Sequence, residues 1–347
     1  MDNVTHTLLA LTLANAGIRR VGPGATATLV LASNVPDIEF VTRFAENGRL
    51  AYLAAHRGPT HGPLGLALGA SMAAVVWLCL RRRRTLGDRV PSFPALVAVG
   101  IAGVMAHVLV DLTTSYGTRV LSPFSGVWYG VDWMPILDLW LWGILAAGSV
   151  VGWALPPRRR AAAVAVLLTA ASYAGLRAFT HGAAVSRAAV IQSRAGVPVE
   201  GAPAVVFAYR NTGRLLGLPA ALPAGSSPFA WRLITKTPSG FEVRDVNLLR
   251  AVGLQADEPS LRFPDSRSPL VAPAATAPTA RVFLDFSRFT SVEVRPHRNG
   301  DATVHWYDMR FARPAAGIDE RHYTSPFGAW VRLAPDGRML RYGLGPG

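Results

Sequence analysis

The chain has a single cysteine, Cys79, among 347 residues. No disulfide can form within it, and no cysteine-based zinc site can be built. Lysine is equally scarce: Lys236 is the only one, so the formal charge of +14 is carried by arginine. Charged side chains make up 16% of the chain. Half of the residues are hydrophobic and the mean hydropathy is +0.27, too apolar for an ordinary soluble protein, so membrane spans are expected. Several motifs are missing: the His-Glu-x-x-His of zinc proteases, the Gly-x-Ser-x-Gly elbow, and a phosphate-binding glycine loop with its lysine. No zinc-finger, basic-zipper or RNA-binding pattern accompanies the positive charge, so nucleic acid is not an expected partner. The N-terminal stretch MDNVTHTLLALTLANAG lacks a basic leader and a small-residue cleavage site, and is read as retained.

The apolar residues lie before residue 180. Four runs, 63–80, 93–112, 133–155 and 161–179, have the length to cross about 30 Å of hydrocarbon at about 1.5 Å per residue. Two shorter runs, 4–18 and 24–36, flank the turn GIRRVGPG. The fold expected is a mainly α-helical integral membrane domain of about six helices over 1–180, followed by a smaller β-rich soluble domain over 181–347. Segments such as FAWRLITKT, GFEVRDVNLL, ARVFLDFS and ATVHWYDMRFA carry β-branched and aromatic residues in partial alternation between turns, which predicts mainly antiparallel strands. The stretch 264–280 has the composition of a linker or surface loop. No internal repeat is visible.

Arginine clusters beside spans mark the cytoplasmic side. Arg19–Arg20, Arg81–Arg84 and Arg158–Arg160 agree on a six-span arrangement in the cytoplasmic membrane with the C-terminal domain outside. That arrangement brings His6, Asp37, His56, His61, His107, Asp111, Asp132 and Asp138 to the outer face. His107 and Asp111 are one helical turn apart and share a face, a spacing that suits one ion. His56 and His61 share the loop HRGPTHG, and Pro36 ends the preceding helix to expose Asp37. Asp138 falls inside a span, where a carboxylate is costly and functional by default. His181 has no partner pattern. His297, His305 and His322 read as surface or strand residues.

THTLLALTLANAG at the N-terminus, NVPDIE at 34–39, HRGPTHG at 56–62 and HVLVDLTTSYGTRVLSPFS at 107–125 resemble the membrane-bound metal-dependent hydrolases of the YdjM/YbcI type. The resemblance covers residues 1–180. WRLITKTPSGFEV and VHWYDMRFA resemble the outer domain of longer members. More loosely, the family is similar to the zinc-dependent phospholipase C and single-strand nuclease group. The resemblance implies His6, Asp37, His61, His107 and Asp111 as ligands of one to three divalent ions, zinc above all, with His56 a ligand or a residue behind the ligands. Gly62 stands where family members often carry Ser, and Glu39 where Asp is common.

The function expected is hydrolysis of a phosphoester, lipid or lipid-linked, at the outer membrane face, with membrane lipids as partners and any protein partner unknown. Zinc-activated water would attack, and Glu39 or Asp138 would take its proton. The alternatives are a non-catalytic metal-binding scaffold or sensor, and a transporter using Asp138.

Overall fold

A computed structural model describes residues 1–83, 90–199, 207–209, 219–250, 260–314 and 323–345. Arg84 and His322 lie outside the described residues. The chain divides into two compact units, Met1–Val41 with Ala55–Phe179, and Thr42–Ala54 with Thr180–Gly347.

The first unit is helical. It contains α1 (Asn3–Ala16) and α2 (Ala25–Ala32); α3 (Gly48–Ala55) falls almost wholly in the second unit. Helices α4 (Pro63–Arg83), α5 (Phe93–Leu112) and α6 (Leu139–Ala154) follow, with a short strand, β1 (Trp128–Gly130), between the last two. Helix α7 (Arg159–Arg194) comes next and runs past the hydropathy boundary at 180.

Among the described residues, three helical stretches are long and apolar enough to cross a membrane: Pro63–Arg83, Phe93–Leu112 and Pro156–Arg194. This corrects the expectation of six spans. The 14 residues of α1 and the 8 of α2 reach only about 21 and 12 Å. The run at 133–155 is helical only from Leu139, because Asp138 caps it by accepting from the Leu141 N–H at 2.9 Å. The six-span orientation argument loses its basis with that count.

The helices pack through small residues. A Cβ on Gly100 would lie 2.3 Å from the Gly69 carbonyl, so α4 and α5 meet backbone to backbone. Gly103, a turn further on, does the same for α5 and α2: a Cβ there would lie 2.9 Å from the Leu29 carbonyl. Val104 and Val108 then pack on Ala32 and Val35.

The second unit holds two four-stranded antiparallel sheets. A short strand, β2 (Phe207–Tyr209), precedes them. The first sheet is β3 (Ala220–Pro223), β4 (Ala230–Thr237), β5 (Gly240–Asn247) and β6 (Ser260–Pro264), in that order. Alternation gives it two apolar faces. Ile234, Phe241, Val243 and Phe263 join one core, while Trp231, Leu233 and Val246 pack on Ala184, Val185 and Ala188 of α7.

The stretch 264–280 is not a plain loop. It contains α8 (Val271–Ala274) and the start of α9 (Pro278–Phe286), whose Ala280 and Phe283 enter the core of the second sheet. Its small residues suit close packing, a use that composition does not separate from a linker. That sheet runs β12-β11-β8-β7. It is built from β7 (Thr290–Pro296), β8 (Ala302–Asp308), β11 (Gly328–Leu333) and β12 (Met339–Leu344). A short antiparallel pair, β9 (Arg313–Pro314) with β10 (Tyr323–Thr324), lies between β8 and β11 in the chain.

Candidate metal centre

The candidate site lies wholly within the first unit. Asp2 starts α1 by accepting from the Val4 and Thr5 N–H groups, each at 3.0 Å, which sets His6 in the first turns of the helix. Trp142 of α6 donates to Thr5 Oγ1 at 2.9 Å and holds that end of α1. Residues Val35–Phe44 form a 3₁₀ segment that carries Asp37 and Glu39. Pro59–His61 is a short 3₁₀ turn that carries His61. The close approach at Gly103 places His107 of α5 beside the end of α2, where its Nδ1 donates to the Ser33 carbonyl at 2.8 Å.

Among the described residues two groups of side chains converge: His6, His107 and Asp111, and Asp37, His61 and His107. Nε2 of His61 lies 3.1 Å from Nε2 of His107. Asp111 Oδ2 lies 3.2 Å from the first and 3.4 Å from the second. Asp37 Oδ1 lies 3.6 and 3.8 Å from the same two atoms. His6 stacks on His107 with ring centroids 3.7 Å apart, and its Nε2 is 3.5 Å from Asp111 Oδ1. The N-terminal amine of Met1 also contacts that oxygen.

The protons on these rings are assigned by their neighbours. The Ser33 carbonyl can only accept, so His107 carries its proton on Nδ1 and a lone pair on Nε2. His61 Nδ1 faces Glu39 Oε2 at 3.5 Å and Thr60 Oγ1 at 3.3 Å, which favours the same tautomer. Two nitrogen lone pairs and two carboxylate oxygens therefore face one another. Asp111 Oδ2 and both nitrogens of His6 are buried without a hydrogen bond. Such a set of facing acceptors is costly unless a cation lies among them. Zn–N and Zn–O bonds of about 2.0–2.1 Å in a tetrahedron set neighbouring ligand atoms about 3.3 Å apart. The observed 3.1–3.8 Å separations fit that spacing. Imidazole with carboxylate also suits zinc better than magnesium. A ring N–H donated to a carbonyl or carboxylate is the usual support behind a ligating histidine.

Glu39 sits behind the ligands. Its Oε1 accepts from the Arg57 N–H at 2.6 Å and lies 3.0 Å from His56 Nδ1; its Oε2 accepts from Thr60 at 2.8 Å. Burial pushes its carboxyl up, but the hydrogen bonds from His56 and His61 outweigh that and hold it well below the usual carboxylate range. Burial pushes the His56 imidazole below its ordinary value, against the pull of Glu39. His56 belongs to neither converging group. For Asp37, burial raises the carboxyl, while His61 and His107 bring it net below its ordinary value. The Asp37 side chain keeps 22% of its surface exposed against 0–1% for His61, His107 and Asp111, so the site opens on its side.

Asp138 is elsewhere. Besides capping α6 it accepts from Tyr173 Oη at 2.8 Å, and among the described residues it belongs to neither converging group. His181 packs against Trp231 and His297 against Thr303, both in the second unit. Arg57 went unread in the sequence, where one arginine in a polar loop looks solvated. It is 3% exposed, and its guanidinium donates to Asp111 Oδ1 at 2.9 Å.

Residues 1–184 match the family described as YdjM inner membrane protein. The chain belongs to that family. Every residue of the converging groups falls inside the matched YdjM segment. The chain is also 27% identical over 149 residues to the uncharacterized protein YfhP of Bacillus subtilis (strain 168), an overlap of 40% of this chain and 42% of the relative. No solved structure matches it. YdjM membership and three span-length helices make this an inner membrane protein.

Proposed function

We propose that this YdjM-family protein is a membrane-bound, metal-dependent hydrolase of phosphoesters, with zinc held by His6, Asp37, His61, His107 and Asp111. The observation that carries the reading is the ring of buried acceptors, with the Nε2 atoms of His61 and His107 3.1 Å apart and both Nδ1 atoms committed elsewhere. A bound zinc ion would supply Lewis acidity and a water made nucleophilic near neutral pH.

The chain's own residues divide the remaining work. Ser33 and Glu39 fix the His107 and His61 rings so that Nε2 faces inward. Glu39 is engaged by four donors and acts as a positioning residue, not as the proton acceptor. Asp138 is committed as a helix cap and has no part in the chemistry. Asp37, the half-buried carboxylate on the open side, would be the ligand bordering the side from which water and substrate approach. Ile38, Phe40 and Val41 follow it in the chain with 48%, 48% and 59% of their surfaces exposed. Exposed apolar side chains next in the chain to Asp37 favour a lipid or lipid-linked substrate.

The test is hydrolysis by the detergent-purified protein of bis-p-nitrophenyl phosphate and of phosphatidylglycerol in mixed micelles. Zinc-dependent turnover is expected, falling about 100-fold or more in His107→Ala. Zinc-loaded protein that turns over neither substrate would support the metal-binding scaffold instead.

A further inference from the structure

We propose that Arg57 is the positioning residue of this centre. It locks Asp111 so that one carboxylate oxygen alone is offered to an ion, which limits the centre to a single metal. The proposal rests on the metal reading above.

The geometry begins at the backbone. Arg57 has φ +49°, in the left-handed region that a residue with a Cβ rarely adopts. Such a conformation persists where the surroundings over-determine it, and it clusters at functional sites. Here it turns the side chain inward. Nη1 donates to the Asp111 carbonyl at 3.3 Å, to Thr114 Oγ1 at 2.7 Å and to the Gly117 carbonyl at 3.1 Å. Those three acceptors anchor the fork from the end of α5 and the turn that follows it. Nη2 then meets Asp111 Oδ1 at 2.9 Å.

The two oxygens of Asp111 therefore differ. Oδ1 is taken by a fixed guanidinium and by the N-terminal amine of Met1. Oδ2 is buried, has no hydrogen bond, and faces the His61 and His107 nitrogens. A carboxylate that bridges two ions with one oxygen on each needs both oxygens, and this one offers one. His107 belongs to both converging groups, and its single inward nitrogen serves one ion. The main chain of Arg57 adds a second tie: its N–H donates to Glu39, the carboxylate behind His61. One residue thus sets the orientation of a ligand on α5 and of a ligand on the loop. Lysine could return the charge but not the planar fork that reaches four acceptors at once.

The experiment uses the full chain in mild detergent, as wild type, Arg57→Ala and Arg57→Lys. Zinc affinity is measured by competition with a chromophoric chelator, zinc stoichiometry by saturation, and ligand number by the visible absorption of the cobalt-substituted protein. Wild type is expected to saturate at one ion. Arg57→Ala is expected to lose roughly 10–100-fold in affinity. Its cobalt absorption should weaken as Asp111 turns to present both oxygens. Arg57→Lys should fall between the two.

Saturation of wild type at two ions overturns the proposal and leaves the metal reading standing. So do unchanged affinity and an unchanged cobalt spectrum in Arg57→Ala. If that variant does not fold, Arg57→Lys carries the comparison, and values identical to wild type overturn the proposal. A wild type that binds no ion overturns both readings together.

Discussion

Asp111 and Glu39 are both buried carboxylates within reach of His61, yet their substitutions have different expected consequences. Asp111→Asn removes an inward oxygen and should abolish stable zinc binding. Glu39→Gln keeps the inward atoms and loosens the His61 ring, so zinc affinity should fall roughly 10–100-fold, read by chelator competition. Asp138→Asn should leave zinc affinity unchanged; its carboxylate caps α6 and accepts from Tyr173, and any cost is to stability, about 1 kcal/mol or less, since Asn still caps. The separate roles of these carboxylates were not legible in the sequence. Spacing placed His107 and Asp111 on one helix face, and Pro36 flagged Asp37. Nothing in the spacing of Asp138 distinguished a helix cap from a catalytic group, because capping depends on where the helix begins. Arg57 was equally hidden, since its burial follows from one left-handed backbone angle.

At the scale of elements, two close approaches position the site. A Cβ at Gly62 would lie 2.2 Å from the Ser122 carbonyl, so the turn after His61 and the loop after α5 fit only with glycine. Gly62→Ser should destabilise this chain by about 1–3 kcal/mol, read from thermal unfolding in detergent. In the second unit, His305 lies on the inner strand β8. Burial, aided by Arg295 and opposed by Glu293, pushes its imidazole down to about 4. The sign follows from linkage. The unfolded chain takes up the proton first, so this contribution to stability is complete above about pH 6.5 and is lost as pH falls toward 4. Unfolding followed by the sheet infrared band should show that loss in wild type and a smaller one in His305→Gln. Alternation made β4, β5, β7, β8, β11 and β12 legible, but not the short β3 and β6. The strand expected at ARVFLDFS is instead helix α9, whose packing partners are distant strands.

For the whole molecule, the split into an apolar helical part and a β-rich part was readable from composition, because burial in lipid and burial in a sheet core demand different patterns. The number of spans was not. Apolar runs at 4–18 and 24–36 are short helices that bury their residues against α5 and against each other, and hydropathy alone does not distinguish lipid from protein as the apolar surroundings. What survives that correction is the convergence of His6, Asp37, His61, His107 and Asp111, which depends on helix ends and loops meeting and not on how many helices cross. The measurement that tests this most directly is metal content. Full-length protein, purified in mild detergent without chelator beside His107→Ala and Asp111→Ala, would be assayed for bound metal per chain by inductively coupled plasma mass spectrometry. One zinc ion in wild type and none in either folded variant is the expected result. Folded wild type that holds no metal even after zinc is supplied would contradict the account, and would leave the facing histidines as a polar contact inside the helical unit.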